Sequence, residues 1–119
     1  VGDDRSRVWI VRKTGTGLEL KHDHRHKDGS PDTVTLYGGH SAPGADLEAP
    51  SVAFPVDAES IKMFRENELT ASVTNVWHMS ADAGSFSYRL TRENRDFMVT
   101  FDLTSPVTTP PAAWDKVLP

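Results

Sequence analysis

Apolar and polar residues alternate with a period of two through much of the second half of the chain. Three such runs lie between residues 70 and 103, separated by turns at 81–84 and 92–95. Because successive side chains of a strand point to opposite faces, each run predicts a strand with one inward face. The residues on those faces are Ala71, Val73, Asn75, Trp77 and Met79, then Phe86, Tyr88 and Leu90, then Phe97, Val99, Phe101 and Leu103.

The three runs agree with one another when they are folded as consecutive antiparallel hairpins. Pairing across the first turn places Trp77 opposite Tyr88. Pairing across the second places Tyr88 opposite Val99 and Leu90 opposite Phe97. All the inward faces then lie on one side of a single meander, which predicts a core rich in aromatic residues.

The first third of the chain has the same organisation. Strands are expected at Arg7–Lys13, Leu18–His26 and Thr33–Gly39, because segments rich in Gly and Asp that suit tight turns separate them. Residues 38–50 are rich in Gly, Pro, Ala and Ser and predict a long loop.

Residues 57–67 admit two interpretations. Asp57 suits the N-cap of a short helix whose Phe64 faces the core. The alternative rests on the tripeptide Arg-Glu-Asn, which ends this segment and recurs at the predicted turn 92–94. The recurrence favours a second turn here and a strand at Ser60–Phe64.

About seven to eight antiparallel strands predict an all-β fold, here a single domain spanning residues 1–119. Consecutive hairpins favour a small up-and-down barrel of lipocalin-like architecture. A two-sheet sandwich, with the 38–50 loop as its crossover, is the alternative. Residues 1–6 are expected to fray, and the proline-rich residues 105–119 are expected to form an extended tail.

Composition removes several classes of function. The chain has 119 residues, a formal net charge of −4 and no cysteine. Disulfides, Cys-ligated metals and thiol nucleophiles are therefore absent. The acidity argues against a nucleic-acid partner, and no apolar run is long enough to span a bilayer. The absence of cysteine and of an initiator Met weakly favours a periplasmic or secreted protein, but it does not determine the compartment.

Three histidines alternate on the second predicted strand. His22, His24 and His26 share a face with two leucines, whereas the other face is wholly charged and is expected to lie in solvent. In the expected hairpin Leu20 pairs with His40, which brings His40 diagonally close to His22. Imidazoles at this spacing can converge on zinc or another divalent transition metal. The four histidines are candidate metal ligands or, alternatively, polar groups at the mouth of the interior.

The aromatic interior is a further candidate site. Trp77 and Tyr88 belong to it, and Asn75 is an inward amide that must find hydrogen-bond partners. The sequence predicts a binding module for a small apolar or amphipathic molecule, with an aromatic floor and a histidine-lined mouth. The candidate ligand-binding residues are His22, His24, His26, His40, Asn75, Trp77 and Tyr88.

Two other functions remain as alternatives. One is a metal-dependent enzyme that uses the histidines, and the other is an interaction domain of a longer protein. An exposed edge strand would also allow a homodimer. Nucleophilic catalysis has no support, since the chain lacks a Gly-x-Ser-x-Gly elbow.

Overall fold

Seven strands form two antiparallel sheets in the computed structural model, which describes residues 3–116. The first sheet contains β1 (Arg7–Lys13), β2 (Leu18–His24) and β3 (Tyr37–His40). The second contains β4 (Ser51–Pro55), β5 (Val76–Ala81), β6 (Ser85–Arg92) and β7 (Arg95–Asp102). One α-helix, α1 (Ala58–Glu66), and two short 3-10 helices at Thr70–Thr74 and Trp114–Lys116 complete the secondary structure of this part of the chain.

Each strand pairs only with its neighbours in sequence, which gives the orders β1-β2-β3 and β4-β5-β6-β7. The prediction of a mainly antiparallel β fold is confirmed. The strands of residues 3–116 do not close into a barrel, because β1 and β7 are both unpaired on their outer edges. No helix in this range is long and apolar enough to cross a lipid bilayer.

The two sheets are joined where β3 meets the start of α1. Gly39 and Val56 form an isolated antiparallel bridge. The amide of Asp57 donates to the carbonyl of Gly38 at 3.0 Å, and the amide of Gly38 donates to the Ser60 hydroxyl at 2.8 Å. These bonds satisfy the outer edge of β3, so the chain folds from one sheet into the next with the core between them.

The core is small and contains side chains from both sheets and the helix. Its buried apolar members are Leu18, Leu20, Phe54, Phe64, Trp77 and Tyr88. Burial of one large apolar side chain contributes about 1.5–3 kcal/mol of stability. Trp77 and Tyr88 are among these buried residues, so the alternation in the sequence assigned both to the correct face of the sheet.

The hairpin between β6 and β7 has the predicted register. Tyr88 lies opposite Val99, and Leu90 lies opposite Phe97. The turn between the strands has two residues, and Asn94 adopts a φ of 63°, a left-handed conformation that asparagine tolerates better than most residues.

The hairpin between β5 and β6 is displaced by two residues from the prediction. Trp77 lies opposite Leu90, not opposite Tyr88. The displacement arises at the turn, where the carboxylate of Asp82 accepts hydrogen bonds from the amides of Gly84 and Ser85, each at 2.8 Å. A shift of two residues leaves every side chain on its predicted face.

Residues 57–67 form a helix, so the strand interpretation is wrong. Asp57 is the N-cap, and its carboxylate accepts from the amide of Ser60 at 2.8 Å. Phe64 is buried, as the helical alternative requires. The helix ends because Glu68 is left-handed, with a φ of 60°, which lets the amide of Leu69 donate to the carbonyl of Phe64 at 2.7 Å. The Arg-Glu-Asn tripeptide therefore precedes a left-handed residue here and contains one in the β6–β7 turn.

The strand predicted from residue 70 begins six residues later. Residues 70–74 form a 3-10 helix, and β5 starts at Val76. The apparent alternation at Ala71 and Val73 does not reflect strand geometry; both lie in the 3-10 helix that follows α1.

The β2–β3 hairpin differs from the prediction by one residue. His40 lies opposite Glu19, and His22 lies opposite Tyr37. The predicted β3 was also too long at its start, because Leu36 has a left-handed φ of 58° and only Tyr37–His40 pairs with β2. A shift of one residue moves a side chain to the other face, so His40 lies on the charged face of β2.

The charged face of β2 was predicted to lie in solvent, and for Glu19 and Lys21 this prediction is wrong. Glu19 is buried, and Lys21 is largely buried because the first turn of α1 lies against it. The ammonium of Lys21 contacts the Asp57 carboxylate at 2.8 Å. Helix α1 therefore covers part of the face that the charges of β2 led us to expect in solvent.

The outer strand β7 is less buried than the pattern suggests. Phe97 and Phe101, both assigned to the core from the sequence, are 42% and 41% exposed. Beyond β7, residues 106–113 have no regular secondary structure, and the amide of Trp114 donates to the carbonyl of Arg5 at 3.1 Å. Residues 1–2 of the expected fraying segment and 117–119 of the expected tail lie outside the described residues.

Candidate binding cleft

A cleft of about 720 Å³ opens between the inner faces of the two sheets. Its size is within the range of small-molecule sites. Aromatic and aliphatic residues make up much of its wall, and charged and polar residues make up the rest. The apolar lining residues are Trp9, Val34, Tyr37, Phe64, Leu69, Trp77, Tyr88, Leu90, Phe97 and Val99. The polar ones are Asp4, Ser6, Arg7, His24, Asp32, Ser72, Asn75, Arg92 and Arg95.

The floor of the cleft is a set of aromatic rings in mutual contact. Trp9 of β1 stacks on Tyr88 of β6 with ring centroids 4.4 Å apart and an interplanar angle of 13°. Tyr37 lies 5.5 Å from Phe64 and 6.1 Å from Trp77 between ring centroids. The contacts of Trp9 with Tyr88 and of Tyr37 with Trp77 cross from one sheet to the other, and that of Tyr37 with Phe64 joins the first sheet to α1, so the rings pack on one another without a ligand.

His22 holds this floor in place from beneath. Its Nε2 lies 2.9 Å from the hydroxyl oxygen of Tyr88, and its Nδ1 lies 3.1 Å from the carbonyl oxygen of Tyr37. Since a carbonyl can only accept, Nδ1 carries the proton, and Nε2 accepts a hydrogen bond from Tyr88. Burial lowers the pKa of His22 to about 4 and raises the pKa of Tyr88. Both side chains are therefore neutral near pH 7.

Asn75 lines the cleft, and its buried side chain has a hydrogen-bond partner. Its Oδ1 accepts a hydrogen bond from the guanidinium of Arg92 at 3.1 Å, and the same nitrogen of Arg92 lies 3.3 Å from the hydroxyl of Ser72. The amide and the hydroxyl fix the position of Arg92 without neutralising its charge.

Three arginines lie at the cleft. Arg7 pairs with Asp4 at 3.8 Å and donates to the Tyr37 hydroxyl at 3.3 Å. Arg92 and Arg95 lie directly opposite each other on β6 and β7. Within residues 3–116 no carboxylate lies within ion-pair distance of either of these two.

The four histidines of the predicted cluster do not converge on one point. The Nδ1 of His24, which lines the cleft, lies 3.2 Å from the carbonyl of Val34 and 3.7 Å from Asp32. The exposed His26 lies 3.3 Å from the same carboxylate. His40 lies on the opposite face of the sheet, 3.4 Å from Glu19.

A four-histidine metal centre is therefore not assembled in the described part of the chain. Both nitrogens of His22 are hydrogen-bonded, and His40 lies on the other face of the sheet because of the register of β3. No group of three or more His, Asp or Glu side chains between residues 3 and 116 has an arrangement that could hold a metal ion.

Four of the residues proposed from the sequence line the cleft: His24, Asn75, Trp77 and Tyr88. His22 lies below them, and His26 and His40 lie outside the cleft.

The sequence reasoning missed the arginines and part of the aromatic floor. Arg92 follows Leu90 by two positions, and Arg95 precedes Phe97 by two. Strict alternation places both arginines on the inward face. The interpretation of 92–95 as a polar turn concealed this signal.

Comparison with known proteins provides no relative: no protein-family model, curated protein or solved structure matches the chain.

Proposed function

We propose that this protein is a binding module for a small amphipathic molecule, and that the cleft between the sheets is its site. The observation that carries the proposal is a cleft of about 720 Å³ with an aromatic floor and charged groups along its lining. Sites for small molecules commonly combine apolar walls with a few polar groups that fix the orientation of the ligand.

The protonation states of the floor favour binding over acid–base catalysis. A general acid or base works best with a pKa near the working pH. The pKa of His22 is lowered to about 4, and the pKa of Tyr88 is raised above its usual value. Their mutual hydrogen bond therefore supports the ring of Tyr88 as a surface on which a ligand packs.

The proposal is tested with N-phenyl-1-naphthylamine, a neutral dye that brightens in apolar surroundings. Wild-type protein is expected to give a saturable rise in fluorescence. Leu90→Trp places a large ring inside the cleft and is expected to abolish the rise. Met98→Trp is the matched control, because Met98 lies on β7 outside the cleft and is largely exposed.

Circular dichroism checks that each variant is folded, and Val99→Trp serves as a second cleft-filling variant. The proposal fails if the wild type gives no saturable signal. It also fails if the cleft-filling variants bind the dye as well as Met98→Trp does, since the dye then occupies another surface.

The exposed side chains of β7 favour a second candidate, self-association through this edge strand. Phe97, Met98 and Phe101 are between 41% and 61% exposed, and the outer edge of β7 is unpaired among the described strands. Such an edge can pair with the same strand of a second copy. Sedimentation equilibrium tests this: Met98→Lys should lower the dimer fraction, and a purely monomeric wild type would exclude it.

A further inference from the structure

The hairpin tip at the cleft contains two arginines that face each other. Arg92 ends β6, Arg95 begins β7, and the two are paired in register across the turn. Like charges directly opposite each other on neighbouring strands are destabilising. The arrangement costs stability unless an anion lies between or beside the two guanidinium groups.

The described residues supply no such anion. The guanidinium of Arg92 contacts two neutral oxygens, those of Ser72 and Asn75. Glu93, in the turn between the arginines, does not line the cleft, whereas both arginines do. The two carboxylates of the cleft are engaged elsewhere, Asp4 beside Arg7 and Asp32 beside the histidines.

This local excess of positive charge contrasts with the chain as a whole, whose formal net charge is −4. Arg92 is half-buried, so its charge interacts more strongly with an anion than a charge in open solvent does, and the exposed Arg95 adds a second positive charge beside it. The guanidinium group presents a planar fork of donors that matches a carboxylate in a bidentate manner. Arg92 is held in position by Asn75, so less conformational entropy is lost when an anion binds.

From this geometry we infer that the ligand class of the cleft is an amphipathic carboxylic acid. Its carboxylate lies against Arg92 and Arg95, and its apolar body lies on the rings of Trp9, Trp77 and Tyr88. Leu90 and Phe97 continue from the arginines toward these rings on the same face of the sheet, so charge and apolar surface are contiguous. The inference rests on the proposed function and adds the chemistry of the headgroup.

The test compares three molecules with the same tail and different heads. Dodecanoate, 1-dodecanol and dodecylammonium compete for N-phenyl-1-naphthylamine bound to the wild-type protein. Dodecanoate is expected to displace the dye at a concentration about ten- to a hundredfold lower than 1-dodecanol, since hydrogen bonds to charged groups are worth that much in affinity. Dodecylammonium is expected to be the weakest competitor.

The variants assign the preference to the arginines. Arg92→Gln with Arg95→Gln is expected to bring dodecanoate to the level of 1-dodecanol and to leave 1-dodecanol unchanged. The control for each single substitution is Arg89→Gln, which removes one positive charge from the outer face of β6, where Arg89 pairs with Asp96 at 2.8 Å outside the cleft. It should retain the full preference. If the double variant does not fold, the single variants and added sodium chloride give the same test, since salt should weaken dodecanoate alone.

The outcomes separate this inference from the proposed function. Equal binding of dodecanoate and 1-dodecanol to the wild type, or a preference that survives loss of both arginines, overturns the carboxylate assignment and leaves a binding cleft. Failure of the dye and of all three competitors to bind overturns the binding cleft and the carboxylate assignment together.

Discussion

Acidification should weaken this protein through one buried side chain, His22. Its ring is almost inaccessible to solvent, and burial lowers its pKa from the usual 6.5 to about 4. In the unfolded chain the ring takes a proton near pH 6.5, whereas in the folded protein it stays neutral until about pH 4. Between these values the unfolded state binds more protons, so the free energy of unfolding falls as the pH falls.

The size of the effect follows from the pH interval. Each pH unit below about 6.5 costs about 1.4 kcal/mol until the folded protein also takes the proton. Between pH 7.5 and pH 5 the expected loss is about 2 kcal/mol. Carboxylates contribute little over this interval, because the pKa of Asp57 and those of the other shifted aspartates are lowered from values already below 4.

Urea unfolding, followed by tryptophan fluorescence at several pH values, measures the loss. His22→Gln is the informative variant, since an amide can still accept from Tyr88 and donate to the Tyr37 carbonyl but does not titrate. Over the same interval its loss of stability should be smaller than that of the wild type by about 2 kcal/mol, the contribution of His22. Met98→Gln is the control, because Met98 is a largely exposed side chain that does not titrate, and its replacement should leave the wild-type pH dependence intact.

The comparison is made on the change with pH rather than on absolute stability, because the glutamine variant starts from a different value. His78 also has a pKa lowered by burial, but it is present in all three proteins and cancels. The reasoning is refuted if His22→Gln loses as much stability on acidification as the wild type does. It is also refuted if Met98→Gln reduces the pH dependence as much as His22→Gln does.

Two further predictions concern packing. Phe54→Ala should lower the free energy of unfolding, measured in urea, by about 3–5 kcal/mol, because Phe54 is 1% exposed. Phe97→Ala should lower it by about half as much, because Phe97 is 42% exposed. Equal losses would contradict the observed position of β7. Gly39→Ala should lower the free energy of unfolding by about 3 kcal/mol or more, since a Cβ there would lie 2.1 Å from the carbonyl oxygen of Pro55. In the control Gly15→Ala, the added Cβ would meet no atom within 4 Å, and the stability should stay within about 0.5 kcal/mol of the wild type. A Gly39→Ala variant as stable as the wild type would show that the sheets are not joined at this point.

The strand faces were predictable because alternation is a local property of the sequence. Trp77 and Tyr88 are buried as expected, and the β6–β7 register is correct because its two-residue turn admits little choice. Register depends on turn geometry, which the sequence indicates less directly. Leu36 adopts a left-handed conformation unusual for its type, and that one residue determines where β3 begins.

The helix was missed because two signals of similar weight disagreed. Asp57 and the spacing to Phe64 indicated a helix, whereas the repeated Arg-Glu-Asn indicated a turn. A tripeptide specifies no more than a tendency toward a left-handed residue nearby, and this occurs equally at the end of a helix and in a hairpin. The N-cap together with the spacing to Phe64 was the correct signal, since the carboxylate of Asp57 accepts from the amide of Ser60, one of the amides that the first turn of a helix leaves without a backbone partner.

The residues that break the regular pattern are gathered around the cleft, and this supports the proposal that the cleft is functional. Four polar residues lie at positions where alternation would place apolar ones: His22, Asn75, Arg92 and Arg95. Each of them reduces stability unless it has hydrogen-bond or charge partners. His22 and Asn75 find theirs within the protein. Arg92 and Arg95 lie opposite each other, and neither forms an ion pair with a carboxylate of residues 3–116. The repulsion between these two arginines, which line the cleft beside its aromatic rings, is what an anionic ligand would relieve.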